Sequence, residues 1–113
     1  MLICVGGLDM NKVNICGIPH KVEVVEDKFE SNSQGMIVYN PAKILINSEL
    51  TKELKIRTLI HEMVHGILAY MGYNDLSSDE VFVCGLSNAI DEAFNLKEVP
   101  QWVSTGEKNL KEP

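Results

Sequence analysis

From Val13 to Val25 the chain alternates. Ile18, His20, Val22 and Val24 fall on one side of an extended chain, against Lys21 and Glu23. A period of two predicts a strand with one buried face. Gly17-Ile18-Pro19 interrupts the run, so two short strands around a turn are expected. Residues 26–34 are polar and turn-rich and read as a loop ending at Gly35. Met36–Asn40 and Lys43–Asn47 form a second pair of apolar runs, with Asn40-Pro41-Ala42 as a hairpin turn between them. Ile44-Leu45-Ile46 lacks a polar alternate and reads as buried on both faces, so the sheet is expected to pack against a helix. Residues 1–10 read as an initial strand or a loosely held terminus.

After Asn47 the period changes. Ile56, Leu59, Ile60, Met63, Val64, Ile67 and Met71 follow helical spacing. Ser48 or Thr51 suits the N-cap, and Gly72 suits the end. Residues 73–78 read as a loop. A second helix is expected from Ser77 or Ser78, with Val83, Leu86, Ala89, Ile90 and Phe94 as its apolar face, ending near Leu96 ahead of Pro100. The tail, 97–113, is polar apart from Val99, Trp102, Val103 and Leu110, and Trp102 is expected to pin part of it to the domain. The expected fold is α+β: a small antiparallel or mixed sheet of short strands packed on two helices. It forms one domain over 1–113, with its core in 13–96.

The first helix carries Thr58-Leu-Ile-His-Glu-Met-Val-His-Gly66, and within it His61, Glu62 and His65 form an H-E-x-x-H run. Residues i and i+4 stack on one helix face, so two imidazoles address one point. That pair is a platform for Zn²⁺. Glu62, rotated about 100° from His61, borders the metal without ligating it and suits a general base on a metal-bound water. A catalytic zinc takes three protein ligands. Glu80, fourteen residues beyond His65, is the leading third ligand, because a reversal of the chain returns it on the next helix. Two alternatives stay open. Asp79 can be the ligand, or Glu80 can serve only as the N3 residue of a capping box with Ser77. Tyr70, Tyr73 and His20 are possible oxyanion helpers. Asn74, Asp75, Ser87 and Asn88 are possible orienters of the imidazoles. A peptide can also be held by strand addition along 36–47. Cys16 and His20 have a spacing that suits a metal, but they read sooner as a buried thiol and a surface histidine.

Short strands, the His61–His65 helix and a helix opening Ser78-Asp-Glu-Val-Phe-Val83 together resemble the small zincins of the ImmA/IrrE-like kind. The resemblance covers roughly 13–95. It implies a gluzincin-type zinc metallopeptidase, with a glutamate at the start of the following helix, here Glu80, completing the metal site. The chain departs from fuller members in being short, in lacking their Glu-Ala-Asn-x-Phe-Ala signature and in lacking a helix-turn-helix. The alternative expectation is a catalytically silent regulatory module that keeps the zinc.

Composition narrows the partners. A formal net charge of −6 over 113 residues argues against nucleic-acid binding, which needs a basic surface. No run approaches the roughly 20 apolar residues of a membrane span. Three cysteines, without a CxxC pair, suit a reducing cytoplasm better than a disulfide framework. The expected partner is a peptide or protein substrate, and the oligomeric state stays open.

Overall fold

The computed structural model describes residues 11–26 and 34–94. Four strands, β1 (Lys12–Ile15), β2 (Ile18–Val25), β3 (Gly35–Tyr39) and β4 (Ala42–Asn47), are followed by α1 (Lys52–Tyr70), a single turn α2 (Asn74–Ser77) and α3 (Glu80–Phe94). The sheet order is β1-β2-β4-β3. β1 and β3 pair antiparallel with β2 and β4, while β2 and β4 pair parallel in register Val22↔Ile44 and Val24↔Ile46. The fold is therefore α+β with a mixed sheet. The expectations for residues 1–10, Leu96, Trp102 and the rest of the tail lie outside the described residues.

The β1–β2 turn sits at Cys16-Gly17, with φ of +52° and +82°. Two positive φ values match the right-handed twist of a two-residue hairpin. The turn thus comes earlier than Gly17-Ile18-Pro19 suggested, and Ile18 and Pro19 already belong to β2. This places the Cys16 side chain in solvent and turns His20 inward, the reverse of the expected pair. His20 is fully buried. Its Nδ1–H donates to the Ile18 carbonyl at 2.9 Å, and Nε2 accepts from the Tyr70 hydroxyl at 2.8 Å. Both ring nitrogens are satisfied, as a buried imidazole requires.

Helix α1 begins where Thr51 Oγ1 accepts the Leu54 N–H at 3.2 Å, so Thr51 and not Ser48 is the cap. It ends at Gly72, whose φ of +90° takes the chain out of the helix. The helix is a middle layer. Ile56, Ile60, Val64 and Leu68 pack with Val83 and Ile90 of α3. Leu59, Met63 and Tyr70 pack on the adjoining side against Ile15, Val22, Ile44 and Ile46 of the sheet, and Leu59 also touches the first group. The apolar spacing read as one stripe is thus two stripes side by side, and Ile67 and Met71 belong to neither, being exposed. Leu45 is only half-buried, so β4 is covered fully on one face, not two.

Helix α3 packs on the Ile56–Leu68 stripe of α1, and its inward residues are Val83 and Ser87, with Ile90 half-buried. Leu86 and Phe94, expected in the apolar face, are exposed at 37% and 69%. Counting the helical period along the chain finds the stripe but not which edge of it a neighbour covers. Among the described residues, no helix is long and apolar enough to cross a membrane.

Candidate metal centre

Three side chains from two helices meet at one point. His61 Nε2 lies 3.2 Å from His65 Nε2 and 3.1 Å from Glu80 Oε1, and His65 Nε2 lies 3.0 Å from Glu80 Oε2. Tetrahedral coordination at 2.0–2.1 Å separates neighbouring ligand atoms by about 3.3–3.4 Å. The spacing found here is therefore close to that of a loaded site.

Donor chemistry also favours a cation. The His65 Nδ1–H donates to the Ser77 carbonyl at 2.6 Å. This leaves Nε2 of a neutral His65 as a lone pair, and it faces a carboxylate oxygen and a second imidazole. Lone pairs so close repel unless a proton or a metal ion lies between them. The His61 Nδ1 has Cys84 Sγ at 3.8 Å, a weak outward partner. With that nitrogen protonated, His61 Nε2 also presents a lone pair to the same point. A His₂Glu set with one imidazole anchored by a backbone carbonyl could hold a metal ion.

Local structure explains the convergence. Asp79 Oδ1 accepts the Phe82 N–H at 3.1 Å, the bond of an N-cap with N3. Asp79 is thereby engaged in capping, and Ser77 is not the cap. Instead the Ser77 hydroxyl donates to the His65 carbonyl at 2.9 Å, while its own carbonyl holds the His65 ring. Ser77 therefore stitches the turn before α3 to α1 with two bonds. Glu80, released from any capping box, stands in the first turn of α3, where the helix dipole favours a carboxylate. The expected ring orienters, Asn74, Asp75, Ser87 and Asn88, make no hydrogen bond to either imidazole; the Ser77 carbonyl and, at longer range, Cys84 Sγ meet the rings instead.

Glu62 is only 8% exposed, yet it borders the open cleft beside the three ligands. Burial, followed by the coulombic influence of Glu80, pushes its carboxyl up to about 7, against the pull of His65. Burial, and then the neighbouring His65, lowers His61 against the pull of Glu80, which favours the neutral ring that ligation needs.

The cleft has a volume of about 520 Å³. Residues Gln34 and Gly35 form one wall, α1 contributes Leu54, Arg57, Thr58, His61 and Glu62, and α3 contributes Glu80, Cys84, Ser87 and Asn88. Gly35 is required by close approach. A Cβ there would stand 2.6 Å from Thr58 Cγ2 and 2.7 Å from the Leu45 carbonyl oxygen, and the carbonyl cannot give way. Tyr70, Tyr73 and His20 do not line this cleft. Tyr70 and His20 bond to each other between α1 and β2, and Tyr73 is exposed on the turn after α1. Sequence reasoning passed over Arg57, although its i−4 spacing from His61 places it on the same face. No family model matches the chain, and no curated protein or solved structure is significantly similar to it.

Proposed function

We propose that the protein is a zinc-dependent metallopeptidase. The observation that carries this reading is the meeting of His61 Nε2, His65 Nε2 and the Glu80 carboxylate, with a buried non-ligand carboxylate, Glu62, beside them. The sequence resemblance to small zincins of the ImmA/IrrE-like kind supports it as well.

His61, His65 and Glu80 would hold the ion. A zinc ion there supplies Lewis acidity, acidifying water and polarising a carbonyl group. Glu62 would be the general base. Glu62 is buried beside the three ligands, where it would take a proton from water and pass it to a leaving amine. Ser77 would keep the His65 ring in the tautomer that presents Nε2. Among the described strands β3 is an edge, and Gly35 at its start borders the cleft. An extended peptide can add to that edge and lie across the ligands.

Two measurements test the reading. Protein purified without a histidine tag should carry one zinc per chain, and His65→Ala and Glu80→Ala should lose it. A peptide library should be cleaved by the wild type, while Glu62→Gln should keep zinc and lose at least a hundredfold in rate. Wild-type turnover by Glu62→Gln would remove Glu62 as base. Stoichiometric zinc without any cleavage would leave a zinc-retaining regulatory module.

A further inference from the structure

We propose that Arg57 is a carboxylate-recognising group of this cleft. It would select peptides with an acidic side chain, or a free C-terminal carboxylate, within a residue or two of the scissile bond. The inference rests on the peptidase reading and names its substrate class.

Arg57 precedes His61 by four residues on α1, so its Cα stands about 6 Å along the axis from that ligand. An extended peptide advances about 3.3 Å per residue. A substrate with its scissile carbonyl at the three ligands therefore brings the next one or two residues to Arg57. The guanidinium is partly committed and partly free. Its Nε–H meets Asp91 Oδ2 at 3.3 Å, and the side chain remains 57% exposed. Its two terminal NH₂ groups have no partner among the described residues. Such a fork matches the two oxygens of a carboxylate. Asp91 meanwhile tethers the guanidinium to α3, which lowers the ordering cost when a ligand binds.

The surroundings favour the same chemistry. Arg57 is the one lysine or arginine among the residues lining the cleft, and the two lining carboxylates, Glu62 and Glu80, are taken up by the base and ligand roles. Thr58, Gln34, Ser87 and Asn88 are polar, and Leu54 is the one large aliphatic side chain there. An apolar substrate side chain would bury little surface, whereas a carboxylate would gain charge-assisted hydrogen bonds.

The test uses zinc-reconstituted protein and a set of short acetylated peptides. Each peptide is made with Glu or Gln at a chosen position and with a free or an amidated C-terminus. Cleavage is followed by mass spectrometry. The acidic forms should be cleaved at least tenfold faster, and Arg57→Gln should erase the difference. Whichever change removes the preference, Glu to Gln or acid to amide, identifies the source of the carboxylate. A second readout needs no turnover: the Arg57 Nε–H resonance is followed as the same peptides are titrated into zinc-free wild type. A saturable shift, at least tenfold weaker with the neutral forms, is expected. Cleavage with no acid preference would overturn the subsite and leave the peptidase standing. Acid-selective, Arg57-dependent binding without cleavage would support the subsite and overturn the peptidase. Discrimination that survives in Arg57→Gln would also overturn the subsite.

Discussion

At the scale of single residues, the site is organised by what burial does to charge. Glu62 is held at a position where its carboxyl titrates near 7 in place of its ordinary 4.5. Between those values the folded chain keeps a proton that the unfolded chain has lost. The metal-free protein should therefore lose stability as pH rises through that window, by on the order of 3 kcal/mol. Glu62→Gln carries no such penalty. In urea unfolding of zinc-free samples, the variant should match wild type near pH 4.5 and exceed it at pH 8. A difference that does not change with pH would contradict a buried carboxyl at this position. His61 moves the other way. Its lowered value means that protonation favours the unfolded chain, so this imidazole costs stability as pH falls below the ordinary 6.5. Zinc affinity should fall over the same acid range, because ligation needs neutral rings. Competition with a chromophoric chelator at pH 7.5 and 5.5 should show it, and equal affinity at both would argue that the histidines are not ligands.

At the scale of elements, the decisive one is the start of α3. Asp79 and Glu80 are adjacent acids, and sequence reasoning favoured Glu80 as the ligand while leaving Asp79 open, since either type suits a cap or a ligand. The structure divides the work: Asp79 caps and Glu80 faces the histidines. Asp79→Ala should cost about 1 kcal/mol of stability and weaken zinc binding by displacing the first turn. Asp79→Ser, which restores an N-cap acceptor but is a poor zinc ligand, should recover both. Loss of zinc in Asp79→Ser, with normal stability, would make Asp79 the ligand. The strands and both long helices were legible in outline, because alternation and helical spacing are local properties. The turn at Cys16-Gly17 was misplaced because Pro19 looked like a breaker, yet it sits in β2 opposite Asn14 of the short strand β1.

At the scale of the molecule, three layers follow one another: sheet, α1 and α3. The outer helix is held by little buried apolar surface, chiefly Val83 and Ile90 against α1. A metal ion bridging His61 and His65 to Glu80 would clamp that layer. Zinc at a hundred times its dissociation constant should add about 2.7 kcal/mol. That corresponds to a melting shift of roughly 10 °C for a domain this small. Calorimetry with zinc, then with a chelator, should show the rise and its reversal. An unchanged melting temperature would mean that zinc does not bind the native site.

Some of this was set by the chain alone. His61 and His65 share a face because the helix repeats every 3.6 residues, and Glu62 follows from the same turn. Covalent spacing is enough for relations of that kind. Packing decided the remainder. Ser77 reaches His65, Glu80 reaches both imidazoles, and Arg57 opens into the same cleft only because α3 crosses α1 at a particular height and rotation. Those contacts join residues 12 to 34 positions apart. Their geometry comes from which apolar stripe each helix buries, which a one-dimensional period does not specify.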